Sequence, residues 1–209
     1  MEKQEIRTFG RRHGKKLSQR KSLLMENVLP TLYPNESEHP NILEIGFGAG
    51  EHVCELAHAN PNKIVLGAEP FENGVAALMS AICDPDNKIK PEYKNIRIFP
   101  DDVRLILNNH EFQFSEIWIL HPDPWPKARH EKRRLLSAEF LNLLCETMAP
   151  AGKIIIGTDH WEYYDWILNQ VKNTNLTASI SKQETIETRY QKKNMAHTTE
   201  AKYMILTKK

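Results

Sequence analysis

Short apolar runs alternate with longer segments of helical periodicity along most of the chain. Brief runs rich in Ile, Val and Leu are typical of strands buried in a parallel sheet, whereas apolar residues spaced three or four apart are typical of helices. The predicted strands cover residues 42–45, 64–68, 95–99, 115–120, 154–156 and 201–207. The predicted helices cover residues 17–29, 51–59, 71–82, 103–108, 135–148 and 160–171. This alternation predicts an α/β fold built on a parallel sheet.

The last predicted helix carries an apolar stripe at helical spacing. The stripe consists of Trp161, Tyr164, Ile167, Leu168 and Val171. Such a stripe usually faces the core, so we expect Trp161 to be buried rather than to form an exposed stacking platform.

Three glycines at alternate positions follow the first predicted strand: Gly46, Gly48 and Gly50. Glycine permits a positive φ and lets a ligand approach the backbone, so the turn is a candidate binding site, with a plain tight turn as the alternative. A dinucleotide fingerprint would need a further glycine at Glu51 or Val53, and neither position fits. The spacing from Glu44 through the three glycines instead resembles the first motif of Rossmann-like methyltransferases that use S-adenosylmethionine.

Acidic residues stand at the ends of the next predicted strands. Glu69 ends the second strand, at about the distance after the glycines where dinucleotide sites place the acid that binds both ribose hydroxyls. An ordinary exposed acid is the alternative there. Asp102 is placed either to cap the helix 103–108 or to accept a hydrogen bond from an adenine amino group, and Asp101 is the alternative cap. Asp159 follows the fifth strand in the same way.

A proline-rich loop follows the fourth predicted strand and contains Pro122, Pro124 and Pro126. Proline fixes φ and donates no backbone hydrogen bond, so neither a helix nor a central strand continues here. The stiff loop carries Asp123 and Trp125 and leads into a segment with five Lys or Arg residues up to Arg134. An acidic tip beside a basic flank suits a substrate with phosphates and a polar edge, such as a nucleic acid. A solvated surface loop is the alternative.

Charge and composition predict a basic arm attached to a single domain. The chain has 209 residues and a net charge of +1, but residues 7–21 hold seven Lys or Arg and no acid. Such a block binds phosphate. We expect a basic N-terminal arm over residues 1–17, which becomes ordered on RNA or on the domain, and one domain over 18–209. The three cysteines are widely separated, which is typical of a reducing compartment, and no residues have the spacing of metal ligands. The sequence also shows no apolar leader and no segment long enough to span a membrane. We therefore expect a cytoplasmic protein without a metal or membrane partner.

Together these motifs resemble the bacterial tRNA (guanine-N7)-methyltransferase family over nearly the whole chain. The proline string is highly specific, whereas the glycine motif alone is not. The matching residues are Phe9-Gly10-Arg11-Arg12 with Gly14-Lys15, Glu44-Ile45-Gly46-Phe47-Gly48, Pro122 to Lys127 with Arg129-His130 and Lys132-Arg133-Arg134, Thr158-Asp159, and Thr188-Arg189-Tyr190. The resemblance implies a Rossmann-like class I methyltransferase fold, with a mostly parallel seven-stranded sheet and helices on both faces. It also implies methyl transfer from S-adenosylmethionine to N7 of the guanosine at position 46 of the tRNA variable loop.

The resemblance also implies roles for individual residues, with Asp123 as the catalytic one. The cofactor pocket would be lined by Glu44, Gly46, Gly48, Gly50, Glu69, Asp102 and Asp123. The tRNA guanosine would contact Lys127, Asp159, Thr188, Arg189, Tyr190 and Gln191. Two positions depart from the family pattern: Gln191 stands where the family usually has Glu, and His121 where it usually has Phe.

Two other functions account for parts of the sequence. A methyltransferase for a small molecule or a protein leaves the basic arm and the basic flank of the proline loop unexplained. An RNA-binding module without catalysis leaves the glycine motif and Glu69 unexplained. The tRNA enzyme uses all of these features, with tRNA as its partner and the chain as a monomer or homodimer.

Overall fold

Strands and helices alternate along the chain, as the hydrophobic pattern predicts. The computed structural model describes residues 8–35, 37–108, 111–181 and 201–209. The strands are β1 (Ile42–Ile45), β2 (Val65–Ala68), β3 (Ile96–Phe99), β4 (Phe114–Leu120), β5 (Met148–Thr158), β6 (Leu176–Ser181) and β7 (Lys202–Lys208). The α-helices are α1 (Gln19–Leu23), α2 (Glu51–Ala59), α3 (Glu72–Ile82), α4 (Val103–Leu107), α5 (Ala138–Glu146) and α6 (Trp161–Val171). Helix α1 continues as a π-helix (Leu24–Val28) and a 3₁₀-helix (Leu29–Leu32), and further 3₁₀-helices cover Pro91–Tyr93 and Ala128–Arg133.

The strands of the described chain form one seven-stranded mixed sheet in the order β3-β2-β1-β4-β5-β7-β6. β4 runs parallel to β1 and β5, and β2 runs parallel to β3. β7 is antiparallel to both of its neighbours, β5 and β6. The predicted sheet, mostly parallel and seven-stranded, is confirmed.

Two compact units make up the chain. The first comprises Met1–Pro40 with Gly46–Phe112, and the second comprises Asn41–Ile45 with Gln113–Lys209. In the first unit, α3 buries its apolar face completely and contacts the helical segment that begins at α1. That face consists of Val75, Leu78, Met79 and Ile82.

In the second unit, parallel pairing brings the carboxyl ends of neighbouring strands to one edge. Ile45 at the end of β1 pairs with Ile119, and Leu120 at the end of β4 pairs with Gly157 near the end of β5. The segments that follow β4 and β5 therefore begin side by side. This edge is where open α/β sheets usually bind their ligands.

The predicted boundaries of the fifth strand and the preceding helix are wrong. The helix begins at Ala138, because the Ser137 hydroxyl accepts the Phe140 N–H at 3.3 Å as its cap, and it ends at Glu146. β5 begins at Met148 and contains Pro150, a residue that sheets accept at irregularities. The pairing of β5 with β4 has its register shift at this place, so the proline does not interrupt a regular ladder.

Strand β6 was not predicted, although its sequence contains a signal. Apolar and polar residues alternate from Leu176 to Ser181, which is the pattern of a half-buried strand. The strand lies at the edge of the sheet, and Ile180 is 80% exposed. An edge strand buries too little surface to need a continuous apolar run.

The predicted burial of Trp161 is wrong. Trp161 is 51% exposed, and Tyr163 is fully buried in its place. Trp161 is the first residue of α6, and the Lys202 ammonium lies 3.0 Å from the centroid of its ring. This cation–π contact stabilises the ring at the surface.

Candidate functional site

The glycine turn, defined as residues 46–50, leads into α2 in the first unit. Its three glycines have positive φ values of +74° at Gly46, +59° at Gly48 and +85° at Gly50, which residues with a side chain rarely adopt. Among the described residues, no atom lies within 4 Å of where a Cβ would stand at Gly46 or Gly48. The turn therefore borders open space at these two positions, as the close approach of a ligand to the backbone requires.

Close packing, rather than open space, explains two other glycines of this unit. A Cβ on Gly50 would stand 2.7 Å from Leu78 Cδ1. A Cβ on Gly74, near the start of α3, would collide with the carbonyl oxygen of Gly48. Gly74 was not singled out from the sequence, because an isolated glycine in a helical pattern carries no mark of what it packs against.

Glu69 holds the glycine turn with its carboxylate. Oε2 accepts the backbone N–H of Gly48 and Oε1 accepts that of Phe71, each at 2.8 Å. The residue is only 7% exposed, so these charge-assisted hydrogen bonds act in a largely dry environment. The alternative of an ordinary exposed acid is wrong. A carboxylate can accept about four hydrogen bonds, so this structural role is compatible with binding ribose hydroxyls.

Asp102, rather than Asp101, caps α4. Its carboxylate accepts the backbone N–H of Arg104 at 3.1 Å, two hydrogen bonds from the Arg104 guanidinium at 2.8 and 2.6 Å, and one from the Thr8 hydroxyl at 2.9 Å. Burial alone would raise the pKa of Asp102, but these hydrogen bonds outweigh it and hold the pKa below its ordinary value. The carboxylate predicted to meet an adenine amino group therefore already has a structural role.

The described part of the basic arm contacts other segments of the first unit, to which it belongs. The Arg12 guanidinium donates to the Asp101 carboxylate, and the Arg12 carbonyl accepts the Glu72 N–H at 2.9 Å. Asn73 Nδ2 donates to the Lys15 carbonyl at 2.7 Å. Arg12 therefore has an acidic partner within the chain. The exposed basic residues of this stretch that remain for an anionic surface are Arg11, Lys15 and Lys16.

The proline loop, defined as residues 121–126, lies in the second unit directly after β4. His121 and Trp125 have φ values of +50° and +42°, which are uncommon for residues with bulky side chains. The His121 N–H donates to the Gly157 carbonyl at 2.7 Å, which fixes the start of the loop against β5. Asp123 is exposed at the tip. The loop is therefore a tightly specified structure that presents one carboxylate to its surroundings.

A second carboxylate, that of Asp159, lies near the start of the proline loop. His121 Nδ1 is 3.9 Å from Asp159 Oδ1, and the two side chains are 7% and 31% exposed. Burial lowers the pKa of His121, and the Asp159 charge opposes this shift without cancelling it. The imidazole is therefore mainly neutral at pH 7, and it adds little positive charge beside Asp159.

The basic flank of the loop, residues 127–134, contains the 3₁₀-helix Ala128–Arg133. Arg133 Cζ lies 5.0 Å from the centroid of the Trp125 ring, and the His130 ring meets the edge of the same ring at a centroid distance of 5.8 Å. Trp125 is thus held by the flank that follows it. The exposed cations of this segment are Lys127, Arg129 and Lys132.

The remaining residues predicted for the site have the following positions. Glu44 is 3% exposed within β1, where it pairs in register with Trp118. The stretch predicted to touch the guanosine, namely Thr188, Arg189, Tyr190 and Gln191, lies outside the described residues. Within the described ranges, no group of His, Cys, Asp or Glu is arranged to hold a metal ion, and no helix is long and apolar enough to cross a membrane.

Comparison with known families and curated proteins gives consistent matches. A family model described as "Putative methyltransferase" matches residues 38–209. A tRNA (guanine-N(7)-)-methyltransferase from Neorickettsia sennetsu is 34% identical over 189 residues, covering 86% of this chain and 84% of that protein. One of the same name from Paramagnetospirillum magneticum is 36% identical over 176 residues, covering 77% of this chain and 72% of that protein.

Solved structures share the architecture at low sequence identity. The 16S rRNA methyltransferase KamB superposes with a TM-score of 0.58 at 14% identity, covering 93% of this chain and 96% of that one. A Streptococcus mutans protein described as "a putative methyltransferase", in complex with SAH, superposes with a TM-score of 0.53 at 13% identity, covering 92% of this chain and all of that one. These likenesses establish a Rossmann-like methyltransferase fold and nothing about the substrate.

Proposed function

The chain belongs to the tRNA (guanine-N7)-methyltransferase family, and from that premise we propose that it methylates N7 of a guanosine in the tRNA variable loop, at position 46, with S-adenosylmethionine as the methyl donor. The relatives that establish the family are matched over most of their own length, so the family's activity concerns the whole chain. The choice of the variable loop rests on the family pattern of the motifs.

One observation carries the assignment of the cofactor site, namely the hydrogen bond from the Gly48 N–H to Glu69. It joins an open glycine backbone to a carboxylate that can accept from hydroxyl groups, and these are the two features that an adenosyl group requires. S-adenosylmethionine has no pyrophosphate, which agrees with the lack of a phosphate-binding glycine pattern. The residues we assign to the cofactor are Glu44, Gly46, Gly48, Gly50, Glu69, Asp102 and Asp123.

The reaction needs few chemical groups from the protein. When bound, S-adenosylmethionine would supply a methyl group attached to a positively charged sulfur. The neutral thioether that remains after the transfer is a good leaving group. Guanine N7 already presents a lone pair, so the chain need not provide a base to deprotonate it. The protein contributes mainly by holding the base in line with the methyl group, an effect that is worth about 7–11 kcal/mol in favourable intramolecular reactions.

Methylation leaves the guanine base positively charged, and a fixed carboxylate stabilises that charge as it develops. Two carboxylates follow neighbouring strand ends of the second unit, those of Asp123 and Asp159. We assign the catalytic position to Asp123, on the family pattern and on its rigid loop, and guanosine contacts to Asp159 and Lys127. Thr188, Arg189, Tyr190 and Gln191 complete the proposed contacts with the nucleoside.

Location and assembly form part of the same proposal. Among the described residues no disulfide joins Cys54, Cys83 or Cys145, which suits a reducing compartment and a cytoplasmic enzyme that meets tRNA there. We expect a monomer or a homodimer.

The decisive experiment incubates purified protein with labelled S-adenosylmethionine and tRNA transcripts, then digests the tRNA to nucleosides. We expect 7-methylguanosine in a transcript with guanosine at position 46, and none when that guanosine is replaced by adenosine. Label in a different nucleoside, or in both transcripts equally, would contradict the proposal. Label in small molecules or protein but not in tRNA would indicate the other methyltransferase class.

A further inference from the structure

The proline loop has an unusual need for hydrogen-bond donors. Pro122, Pro124 and Pro126 have carbonyl groups but no N–H, so the loop offers mainly acceptors. Trp125 adopts φ +42°, a conformation that persists only where surrounding groups enforce it. Donors from outside the loop can therefore bind these carbonyl groups and hold the backbone in place.

Arg134 supplies these donors from beyond the 3₁₀-helix. Its Nε donates to the Pro124 carbonyl at 2.9 Å, and its Nη2 donates to the Trp125 carbonyl at 3.4 Å. Two parallel N–H groups facing two successive carbonyls make use of the planar fork of a guanidinium. Both carbonyls lie directly after Asp123 in the chain.

The Arg134 guanidinium is itself held by aromatic rings of α6. Its Cζ lies 5.5 Å from the Tyr163 ring centroid and 5.0 Å from the Trp166 ring centroid. Tyr163 is fully buried, and Trp166 Nε1 donates to Glu131 Oε1 at 2.7 Å, so neither ring is a mobile surface group. Arg134 thus connects the loop backbone to a rigid helix.

Arg134 also differs from the exposed cations of the basic flank. Lys127, Arg129 and Lys132 are exposed, whereas Arg134 is half-buried and makes the contacts described above. A phosphate-binding cation needs a guanidinium or ammonium that faces outwards. The contacts of Arg134 instead point inwards to the loop and the rings.

We propose that Arg134 is a positioning residue, which sets the Asp123 carboxylate by clamping the loop backbone directly after it. The inference rests on the proposed function, because Asp123 is given its catalytic role there. A lysine at this position keeps the charge but cannot present two parallel donors to two carbonyls while stacking as a plane on aromatic rings. The geometry of the fork, not the charge, is therefore what the loop uses.

The test compares Arg134→Lys and Arg134→Met with the wild type in single-turnover methyl transfer to tRNA. A misplacement of about 1 Å can reduce the rate about a hundredfold, and we expect a fall of that order in both variants. The affinity for tRNA and its salt dependence should stay unchanged, because Arg134 neutralises no phosphate. Lys172→Met serves as the control, since it removes one exposed positive charge from the end of α6 and should leave the rate unchanged.

Two results would overturn the inference. The first is a rate for Arg134→Lys within threefold of the wild type, since charge alone would then suffice. The second is a loss of tRNA affinity with a smaller salt slope, which would make Arg134 a phosphate-binding residue. If Arg134→Met fails to fold, the lysine variant decides the matter.

A second measurement separates this inference from the proposed function. Amide hydrogen exchange at His121, whose N–H donates to the Gly157 carbonyl at the start of the loop, reports the order of the loop without any reaction, and we expect it to accelerate in both Arg134 variants. A wild-type protein that makes no 7-methylguanosine would contradict the proposed function and leave the exchange result valid. Unchanged exchange in Arg134→Lys and Arg134→Met would show that the clamp does not order the loop.

Discussion

Glu69 accepts the backbone N–H of Gly48 at 2.8 Å and, through its other carboxylate oxygen, the N–H of Phe71. One acidic side chain therefore fixes both the glycine turn and the start of the segment that leads into α3. Removing the charge should disturb the backbone that borders the cofactor site as well as any direct contact with the ribose.

Glu69→Gln is expected to weaken S-adenosylmethionine binding by about 1.5–3 kcal/mol, the scale of a hydrogen bond to a charged group. The amide keeps one oxygen acceptor but turns its NH₂ towards a second N–H, so one of the two backbone bonds is lost. Calorimetric titration measures the change. The matched control is Glu72→Gln, since Glu72 is a partly exposed acid at the start of α3. An unaltered affinity of Glu69→Gln for S-adenosylmethionine would remove Glu69 from the site.

Asp102→Asn is expected to change how stability depends on pH. Burial acts to raise the pKa of Asp102, but hydrogen bonds from Arg104 outweigh it and lower the pKa below the ordinary 3.8. A carboxyl with a depressed folded-state pKa stabilises the protein above its unfolded-state pKa, and this contribution is lost as the pH falls through the folded value. The gap in unfolding free energy between wild type and variant should therefore narrow below about pH 4.

Urea unfolding between about pH 3 and 6 measures this gap, and Asp101→Asn serves as the more exposed control. Asp102→Ala should lose about 0.5–2 kcal/mol from the missing helix cap alone. If the gap stays constant across the range, the ion pair with Arg104 does not stabilise the fold.

The elements that the sequence predicted well are those whose signal is local. β1 and α2 have the predicted boundaries, because a buried apolar run and a glycine turn mark them directly. The roles of Gly74 and Arg134 depend instead on carbonyl groups of other segments, Gly48 for the first and Pro124 for the second. Hydrophobic periodicity does not encode such backbone contacts. The choice between Asp101 and Asp102 as the cap likewise depended on side-chain direction, which the sequence leaves open.

The exposed basic residues of the arm are expected to bind tRNA phosphates. The double variant Arg11→Gln/Lys16→Gln should reduce the salt slope of tRNA binding by roughly 0.9 for each duplex phosphate that the arm no longer neutralises. Cofactor affinity should be unchanged, since neither side chain is assigned to the cofactor site. The control is Lys88→Gln/Lys172→Gln, which removes the same charge from exposed positions elsewhere. Equal slopes for both double variants would rule out a specific role of the arm.

Protonation of His121 is expected to lower the free energy of unfolding in mild acid. Because burial lowers its folded-state pKa below 6.5, the unfolded chain binds the proton more readily. Stability should then be greatest above pH 6.5 and fall as the pH decreases towards the folded value. His121→Phe, the residue usual in the family, should abolish this fall between about pH 7.5 and 5.5. Thermal unfolding across that pH range measures the effect, and the control is His58→Gln, which changes an exposed histidine. Parallel pH profiles of stability in the wild type and His121→Phe would show that His121 does not cause the fall.

Asp123 stands between Pro122 and Pro124 on a loop whose start is tied to Gly157 and whose middle is tied to Arg134. Asp123→Asn should fold normally, because the amide keeps the shape of the side chain and Asn forms the same local turns as Asp. The amide loses the negative charge and replaces one acceptor by a donor. The rate of methyl transfer should therefore fall by about 10²–10³, the scale for loss of one preorganised electrostatic group.

The measurement for Asp123 is single-turnover kinetics on purified tRNA, with tRNA affinity determined in parallel. Affinity should change little, because phosphate contacts dominate it. Asp159→Asn provides the comparison within the same unit, since Asp159 directly follows β5 and is not part of the proline loop. If Asp123 served only to form the turn, the Asn variant would react within threefold of the wild type. A large fall in Asp159→Asn alone would then move the stabilisation of the guanine charge to Asp159.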